Sequence, residues 1–295
     1  GVSSATIFAA FDQALGAPPE MPDGAATVVT AEYRLPFLAH ATMEPMVCTA
    51  RVDATGAEVW AGVQDPLNAR ATAAKALDID PAQVVLHNQL LGGGFGRRLP
   101  FNFDYIDLGV RVARAVPGTP VKTIWSREND IRHDYYRPAA MSRFAGALDP
   151  AGTPLAVKSH YTGGGNGEAV YMPYAIATRD DQEKEAPHPV RLGQWRSVLN
   201  SQHGFFKESF IDELAHAAGK DPFAFRRDLL AEQPRFRAVL EKAAAMSGWD
   251  TPLPEGEGRG IALAQSFGTI VAEVAHVRVS PEGALKVLHV YAAVD

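Results

Sequence analysis

The sequence has little of three features that mark large classes of protein: cysteine, long apolar runs and blocks of positive charge. Its only cysteine, Cys48, excludes an intramolecular disulfide and a cysteine-rich zinc or iron–sulfur site. No stretch approaches the roughly 18 consecutive apolar residues that a membrane-spanning helix needs. The formal net charge is -6, and because lysine and arginine form no run longer than a pair, nothing indicates a nucleic-acid or anionic-membrane partner. We therefore expect a small-molecule partner, and we expect Cys48 to be a buried apolar residue.

What the sequence does contain is a repeated order of strand, loop and helix. The hydrophobic content of 46% over 295 residues is enough for a substantial core. Residues 58–63 read as a strand, Asp65-Pro66 as a helix cap, and residues 67–77 as the helix that follows. Residues 84–91 and 103–116 repeat the order, with a glycine-rich loop between strand and helix. The predicted fold class is α+β, with mixed sheets flanked by helices.

The glycine-rich loop is the most informative segment. It reads Gly92-Gly93-Gly94-Phe95-Gly96 and is followed by Arg97 and Arg98. Four glycines in five positions give up side-chain burial and cost conformational entropy, so they indicate backbone held close to another group. A loop between strand and helix can receive a phosphate or another anion. However, a P-loop needs Gly-Lys-Ser/Thr at its end and a dinucleotide fingerprint needs glycine at position 97, so both patterns fail. The residues alone leave two interpretations open: a structural turn, or a cradle for an anion or cofactor.

Other candidate residues are weaker. Arg196 offers a bidentate guanidinium for a carboxylate or an anionic cofactor, although a structural ion pair is the alternative. Glu128 and Asp130 lie in a highly charged stretch, which predicts a solvated loop without a catalytic role. The glycine run 163–167 has no predicted helix after it and is interpreted as a flexible or shortened loop. The histidines show no metal-ligand spacing and no Gly-x-Ser-x-Gly elbow is present, so a zinc site and a hydrolytic triad are not expected.

Several strings together resemble the molybdopterin-binding large subunits of the xanthine dehydrogenase family, in the branch of isoquinoline 1-oxidoreductase and aldehyde oxidoreductase. The glycine loop, residues 91–98, is similar to the molybdopterin loop of that family. Further similar strings follow the family's order over about residues 26–295. They are Tyr33–Arg51 with Leu38–Met46 inside it, Ile131–Pro138, Gln194–Val198 and Glu208–Ala215.

The resemblance implies hydroxylation of an aldehyde carbon or of a carbon beside a ring nitrogen, with water as the oxygen source. It also implies that the metal is held by the pterin rather than by a protein side chain. Ser197 and Val198 match substrate-pocket positions at which relatives with other substrates carry glycine and phenylalanine. The residues that match cofactor-binding positions are Gln64, Gly93, Gly94, Phe95, Gly96 and Arg196.

Cofactor form and partners also follow from the resemblance alone. It implies molybdenum with molybdopterin in the cytosine dinucleotide form, an aldehyde or N-heterocycle as substrate, and a separate 2Fe-2S subunit. A separate subunit agrees with Cys48, because one cysteine cannot hold such a cluster. The family allows a bacterial periplasmic or cytoplasmic location, and the N-terminal residues do not favour either.

The chain also departs from the family. The family's general base is a glutamate in a Gly-Val-Gly-Glu string that would lie beyond Asp295, so no catalytic residue is assigned here. A Met-Gly-Gln-Gly cofactor segment is missing too. We therefore expect a truncated portion that is inactive alone, with a folded domain that binds no cofactor as the alternative. The expected segments are a leading segment or domain remnant (1–25), a first molybdopterin-binding subdomain (26–162) and a truncated second subdomain (163–295).

Overall fold

The computed structural model describes residues 2–295, which form eight α-helices and eleven strands. The helices are α1 (Ser4–Leu15), α2 (Pro66–Leu77), α3 (Asp104–Arg114), α4 (Arg127–Arg132), α5 (Gly167–Val170), α6 (Asn200–Ala217), α7 (Pro222–Leu229) and α8 (Pro234–Ser247). The strands are β1 (Thr27–Leu35), β2 (Val47–Asp53), β3 (Gly56–Ala61), β4 (Val84–Asn88), β5 (Val121–Ile124), β6 (Ala140–Leu148), β7 (Pro154–Thr162), β8 (Thr178–Glu183), β9 (Glu257–Ser266), β10 (Thr269–Val279) and β11 (Leu285–Val294). Among the residues described, no helix combines the length and apolarity needed to cross a bilayer.

The strands form three sheets, two of them mixed. One sheet has the order β1-β6-β7-β8, in which β7 and β8 are parallel and the other pairs antiparallel. A second, β4-β3-β2-β5, is parallel only between β3 and β4. The third, β11-β10-β9, is antiparallel. This arrangement confirms the predicted α+β class with mixed sheets and helices.

The chain divides into two compact units. The larger unit contains the residues up to Pro36, Ala139–His188 and Leu199–Asp295. The second, called the loop unit below, contains Phe37–Pro138 and Pro189–Val198. The loop unit is thus built from two separate stretches of chain. These boundaries differ from the predicted division at 162/163, because the break there falls inside the larger unit.

Each unit has its own core. In the larger unit, Phe144 of β6 stacks on Phe210 of α6 with ring centroids 4.8 Å apart. In the loop unit, α3 packs so closely on β2 that a Cβ added to Gly109 would lie 2.8 Å from Cys48 Sγ. Cys48 is fully buried, as predicted, and burial raises the pKa of its thiol to about 12. Cys48 therefore acts as a small apolar core residue.

Local capping signals give the helix limits. The Asp65 carboxylate accepts a hydrogen bond of 3.0 Å from the Asn68 amide, and Pro66 occupies the first turn of α2, as predicted. Asp221 caps α7 in the same way through Ala224. Gly248 ends α8 in the left-handed conformation (φ +61°). These elements follow from short-range sequence patterns.

The prediction of a solvated loop at Glu128 and Asp130 is wrong. Glu128 and Asp130 lie in α4 and not in a loop, because the Ser126 side chain caps that helix by accepting from the Asn129 amide. Asp130 is also buried rather than solvated, and Arg127 neutralises it at 2.8 Å. This highly charged stretch therefore forms a short helix in which the carboxylate of Asp130 is buried.

The glycine run 163–167 is followed by a helix, contrary to the prediction. The Asn166 side chain accepts from the Ala169 amide and starts α5. Gly163 has φ +88°, and a Cβ there would lie 2.5 Å from the Ala139 carbonyl oxygen. Close packing of the backbone therefore accounts for the glycine at position 163.

Candidate cofactor-binding site

The backbone of the glycine loop adopts conformations that favour glycine. Gly93 has φ +101° and Gly96 has φ +106°. Phe95, between them, has φ +56°, which is uncommon for a residue with a side chain. Phe95 is also largely exposed. A strained, exposed aromatic on a glycine loop is a feature found at functional sites.

Two of the glycines are required by close neighbours. A Cβ on Gly94 would lie 2.5 Å from Gln64 Oε1. A Cβ on Gly96 would lie 2.0 Å from the carbonyl oxygen of Gln194. The structure therefore brings Gln64 and the 189–198 stretch against the loop, although both are distant in sequence.

The side-chain amide of Gln64 has a defined orientation. Its Oε1 accepts from the backbone amides of Gly96 (3.1 Å) and Arg98 (3.3 Å). An oxygen must occupy that position, because backbone N–H groups only donate. The Nε2 group is therefore left as a donor on an exposed residue between β3 and α2.

The loop also presents backbone donors. Within residues 2–295, the N–H groups of Gly93, Gly94 and Phe95 have no hydrogen-bond acceptor. Gly94 is buried, and a buried amide without a partner costs free energy. These amides are therefore available to an acceptor on a ligand.

Arg196 lies beside the same loop. Its guanidinium carbon is 5.6 Å from the centroid of the Phe95 ring, and the side chain is exposed. Across residues 2–295, Arg196 makes no ion pair, so the structural ion pair considered from sequence is not found. Ser197 and Val198 follow in the left-handed region, with φ +59° and +53°. This backbone is strained, most of all at the β-branched Val198.

Taken together, the group near the loop consists of hydrogen-bond donors and one unpaired cation. The donors are Gln64 Nε2, the amides of Gly94 and Phe95, and the guanidinium of Arg196. Such a set suits an electron-rich ligand that carries oxo, thiolate or phosphate groups. Molybdopterin is a ligand of this kind, so the residues present fit it.

Sequence reasoning missed the residues that hold the loop in place. Arg98 is fully buried and donates to the carbonyl oxygens of Gly93 (3.0 Å) and Gly62 (3.1 Å) and to Glu44 Oε2 (2.9 Å). Glu44 Oε2 also accepts from the Gly92 amide at 3.0 Å. The side chain of Arg98 therefore fixes the loop internally and does not face a ligand.

Arg97 is equally buried. It lies 2.8 Å from Asp104 and 2.9 Å from Asp134, and it donates to the Asn102 carbonyl oxygen. Burial raises the pKa of Asp104, although the nearby Arg97 opposes that rise. The one available signal was the arginine pair directly after a loop that matches no phosphate fingerprint. Two of the acidic partners, Asp134 of Arg97 and Glu44 of Arg98, lie dozens of residues away and could not be identified locally.

Residues 4–177 match the family model of the molybdopterin cofactor-binding domain. A membrane-bound aldehyde dehydrogenase (pyrroloquinoline-quinone) of Gluconacetobacter polyoxogenes is 30% identical over 85% of this chain. The beta subunit of isoquinoline 1-oxidoreductase of Brevundimonas diminuta is 29% identical over 90% of it.

The crystal structure of quinoline 2-oxidoreductase from Pseudomonas putida 86 has a similar fold. It covers 90% of this chain with a TM-score of 0.66, at 17% sequence identity. The chain spans only part of these proteins: 36% and 37% of the two sequence relatives and 40% of the quinoline 2-oxidoreductase chain.

Proposed function

The chain belongs to the molybdopterin cofactor-binding domain family, and from this premise we propose that it is the cofactor-binding part of a molybdenum hydroxylase large subunit. The proposed reaction oxidises an aldehyde or an N-heterocycle with water as the oxygen source. Relatives named for an aldehyde and for isoquinoline support these two substrate classes.

One observation carries the proposal: in the part of the chain that the structure describes, donors without protein partners lie together at one loop. Neither a phosphate fingerprint nor an internal acceptor accounts for the amides of Gly94 and Phe95. Gln64 and Arg196 add side-chain donors to the same group. When bound, the cofactor would supply the redox chemistry, and the protein would supply binding and orientation.

Each residue has a proposed task. The amides of Gly94 and Phe95 and the Gln64 Nε2 group would donate to electronegative atoms of the cofactor and hold it in one orientation. Arg196 would bind negative charge there, with Phe95 packed beneath its guanidinium. Ser197 and Val198 would line the substrate pocket. Because Val198 is aliphatic, it offers no ring to stack on a flat heterocycle.

The cofactor form and the partner are also proposals. We propose the cytosine dinucleotide form of molybdopterin. A separate 2Fe-2S subunit would take the electrons, and the description of one relative as a beta subunit supports a multi-subunit assembly.

Turnover should require residues other than those gathered at the loop. None of the proposed site residues has a side chain that accepts a proton near neutral pH. A missing general base costs on the order of 10²–10⁴ in rate. This chain alone is therefore expected to be inactive even when it is loaded with cofactor.

The test is cofactor content. The chain would be produced in a bacterium that makes molybdopterin. Molybdenum and released pterin would then be measured per chain. Pyrroloquinoline quinone would be measured as well, because one relative is named for it. We expect molybdenum and pterin in equal amounts, and a marked loss in Arg196→Ala but not in Gln89→Ala, an exposed residue of the loop unit. A chain without either component would support the alternative, a folded domain that binds no cofactor. A longer parent protein that had been matured with cofactor would be assayed in the same way. If it contained no molybdenum, the proposal would be overturned.

A further inference from the structure

A buried histidine lies directly beneath the glycine loop. His40 is only 7% exposed, and a Cβ built on Gly96 would lie 3.4 Å from its Nε2 atom. His40 belongs to the stretch that also carries Glu44, which holds the other end of the loop at Gly92. One short stretch of chain therefore supports both ends of the loop.

Both ring nitrogens of His40 face hydrogen-bond acceptors. Nε2 lies 2.7 Å from the carbonyl oxygen of Gln194. Nδ1 lies 3.0 Å from both carboxylate oxygens of Asp134. A carbonyl oxygen can only accept, so Nε2 must carry a proton.

The hydrogen-bond donors around Asp134 show whether Asp134 or His40 Nδ1 carries the proton between them. Its oxygens accept from the backbone amides of His40 (2.5 Å) and Tyr135 (2.8 Å), and Arg97 Nε lies 2.9 Å away. Donors on several sides match a carboxylate, whose oxygens only accept. The proton between Asp134 and His40 therefore belongs to Nδ1.

We infer that His40 is a buried imidazolium and acts as a positioning residue. It links the Asp134 carboxylate to the Gln194 carbonyl, two residues before Arg196, and so holds the stretch that carries Arg196 against the glycine loop. A neutral imidazole could satisfy only one of the two acceptors. That the position of Arg196 serves cofactor binding rests on the proposed function. The charge state of His40 and its link between Asp134 and Gln194 do not depend on that function.

The charge state is tested by NMR of the chain labelled with ¹⁵N-histidine, at about pH 7, where exposed histidines are largely neutral. We expect a ring in which both nitrogens carry slowly exchanging protons, and we expect its signals to disappear in His40→Gln. If no histidine ring in the unmodified chain holds both protons, the inference is wrong, whether or not the variant folds.

The link is tested by hydrogen exchange. The amides of Gly193 and Val198 are bonded to the Tyr136 and Trp195 carbonyl oxygens. In His40→Gln, exchange of a peptide that covers 190–198 should accelerate roughly tenfold or more, the factor expected when a hydrogen bond to a charged group is lost.

His87→Gln is the matched control, because His87 lies in the loop unit but stacks on Trp60 and not under the loop. Equal exchange in the two variants would overturn the link. Neither measurement requires cofactor, so their failure is distinct from a failure to find molybdenum and pterin.

Discussion

Glycine 94 and glycine 96 are two positions apart but meet different physical demands. The atoms nearest to a Cβ on Gly94 belong to the flexible side chain of Gln64, whereas the nearest atom to one on Gly96 is a backbone carbonyl oxygen. Gly96 also has a left-handed φ of +106°. A methyl group added at Gly94 can be accommodated if the Gln64 side chain moves and gives up its hydrogen bonds from the Gly96 and Arg98 amides. A methyl group added at Gly96 cannot be accommodated without moving backbone.

Gly94→Ala should therefore keep the fold and lose the cofactor. We expect a loss of about 1 kcal/mol in the free energy of unfolding, because Gln64 has to rotate away from the Gly96 and Arg98 amides, together with a large drop in molybdenum and pterin per chain. Gly96→Ala should lower the free energy of unfolding by about 2 kcal/mol or more.

Gly118→Ala serves as the control for both, since Gly118 has φ +79° with nothing within 4 Å and reports conformational strain alone, about 1 kcal/mol. Denaturant titration and metal analysis of the three variants would decide. Equal cofactor content in Gly94→Ala and the unmodified chain would contradict the assignment.

At this scale the sequence indicated residues that meet at the loop, but it missed the residues that support the loop. The glycine composition indicated backbone held close to another group, and the resemblance singled out Gln64 and Arg196, which the structure places at the loop. The burial of Arg98 was not predictable, because an arginine is usually exposed and its partner Glu44 is 54 residues away. The support for the loop depends on such long-range pairs, which no local pattern reports.

Among the elements, α2 gives the clearest local test because its cap adjoins Gln64. Asp65→Ala removes the oxygen that accepts from the Asn68 amide and should lower the free energy of unfolding by about 1 kcal/mol. Asp65→Asn keeps an equivalent oxygen and should leave stability nearly unchanged. Urea titrations followed by circular dichroism would compare the two, and an equal loss in both would show that the charge matters rather than the cap.

The element with a strong end signal was predicted, and one with a highly charged composition was not. The cap at Asp65 predicted α2 to within a few residues. The short helix α4 was missed because four of its six residues are charged, a composition typical of a solvated loop. The charge pattern reveals neither the cap at Ser126 nor the burial of Asp130 beside Arg127.

For the whole molecule, acid should destabilise the fold through His203. This side chain is 2% exposed, its Nε2 donates to the Gly164 carbonyl oxygen at 2.9 Å, and burial lowers its pKa from the ordinary 6.5 to about 4. Below pH 6.5 the unfolded chain binds a proton that the folded chain does not, so stability falls as the pH drops from about 6.5 to 4. The loss from this residue should reach about 3 kcal/mol.

The measurement is the free energy of unfolding at several pH values within that window. His203→Gln should flatten the slope, whereas His216→Gln, an exposed residue near the end of the same helix, should leave it unchanged. The same slope in all three proteins would exclude His203 as the cause.

The contact between Gly96 and Gln194 has a consequence for biosynthesis. The residues of the loop unit are interrupted in the chain by Ala139–His188, so residue 194 leaves the ribosome about a hundred residues after residue 96. At typical rates of synthesis this interval is roughly 5–20 s. During that time the glycine loop has neither the carbonyl oxygen that lies against Gly96 nor the neighbouring Arg196. If Arg196 binds the cofactor as proposed, the cofactor can bind there only after residues 189–198 have been synthesised.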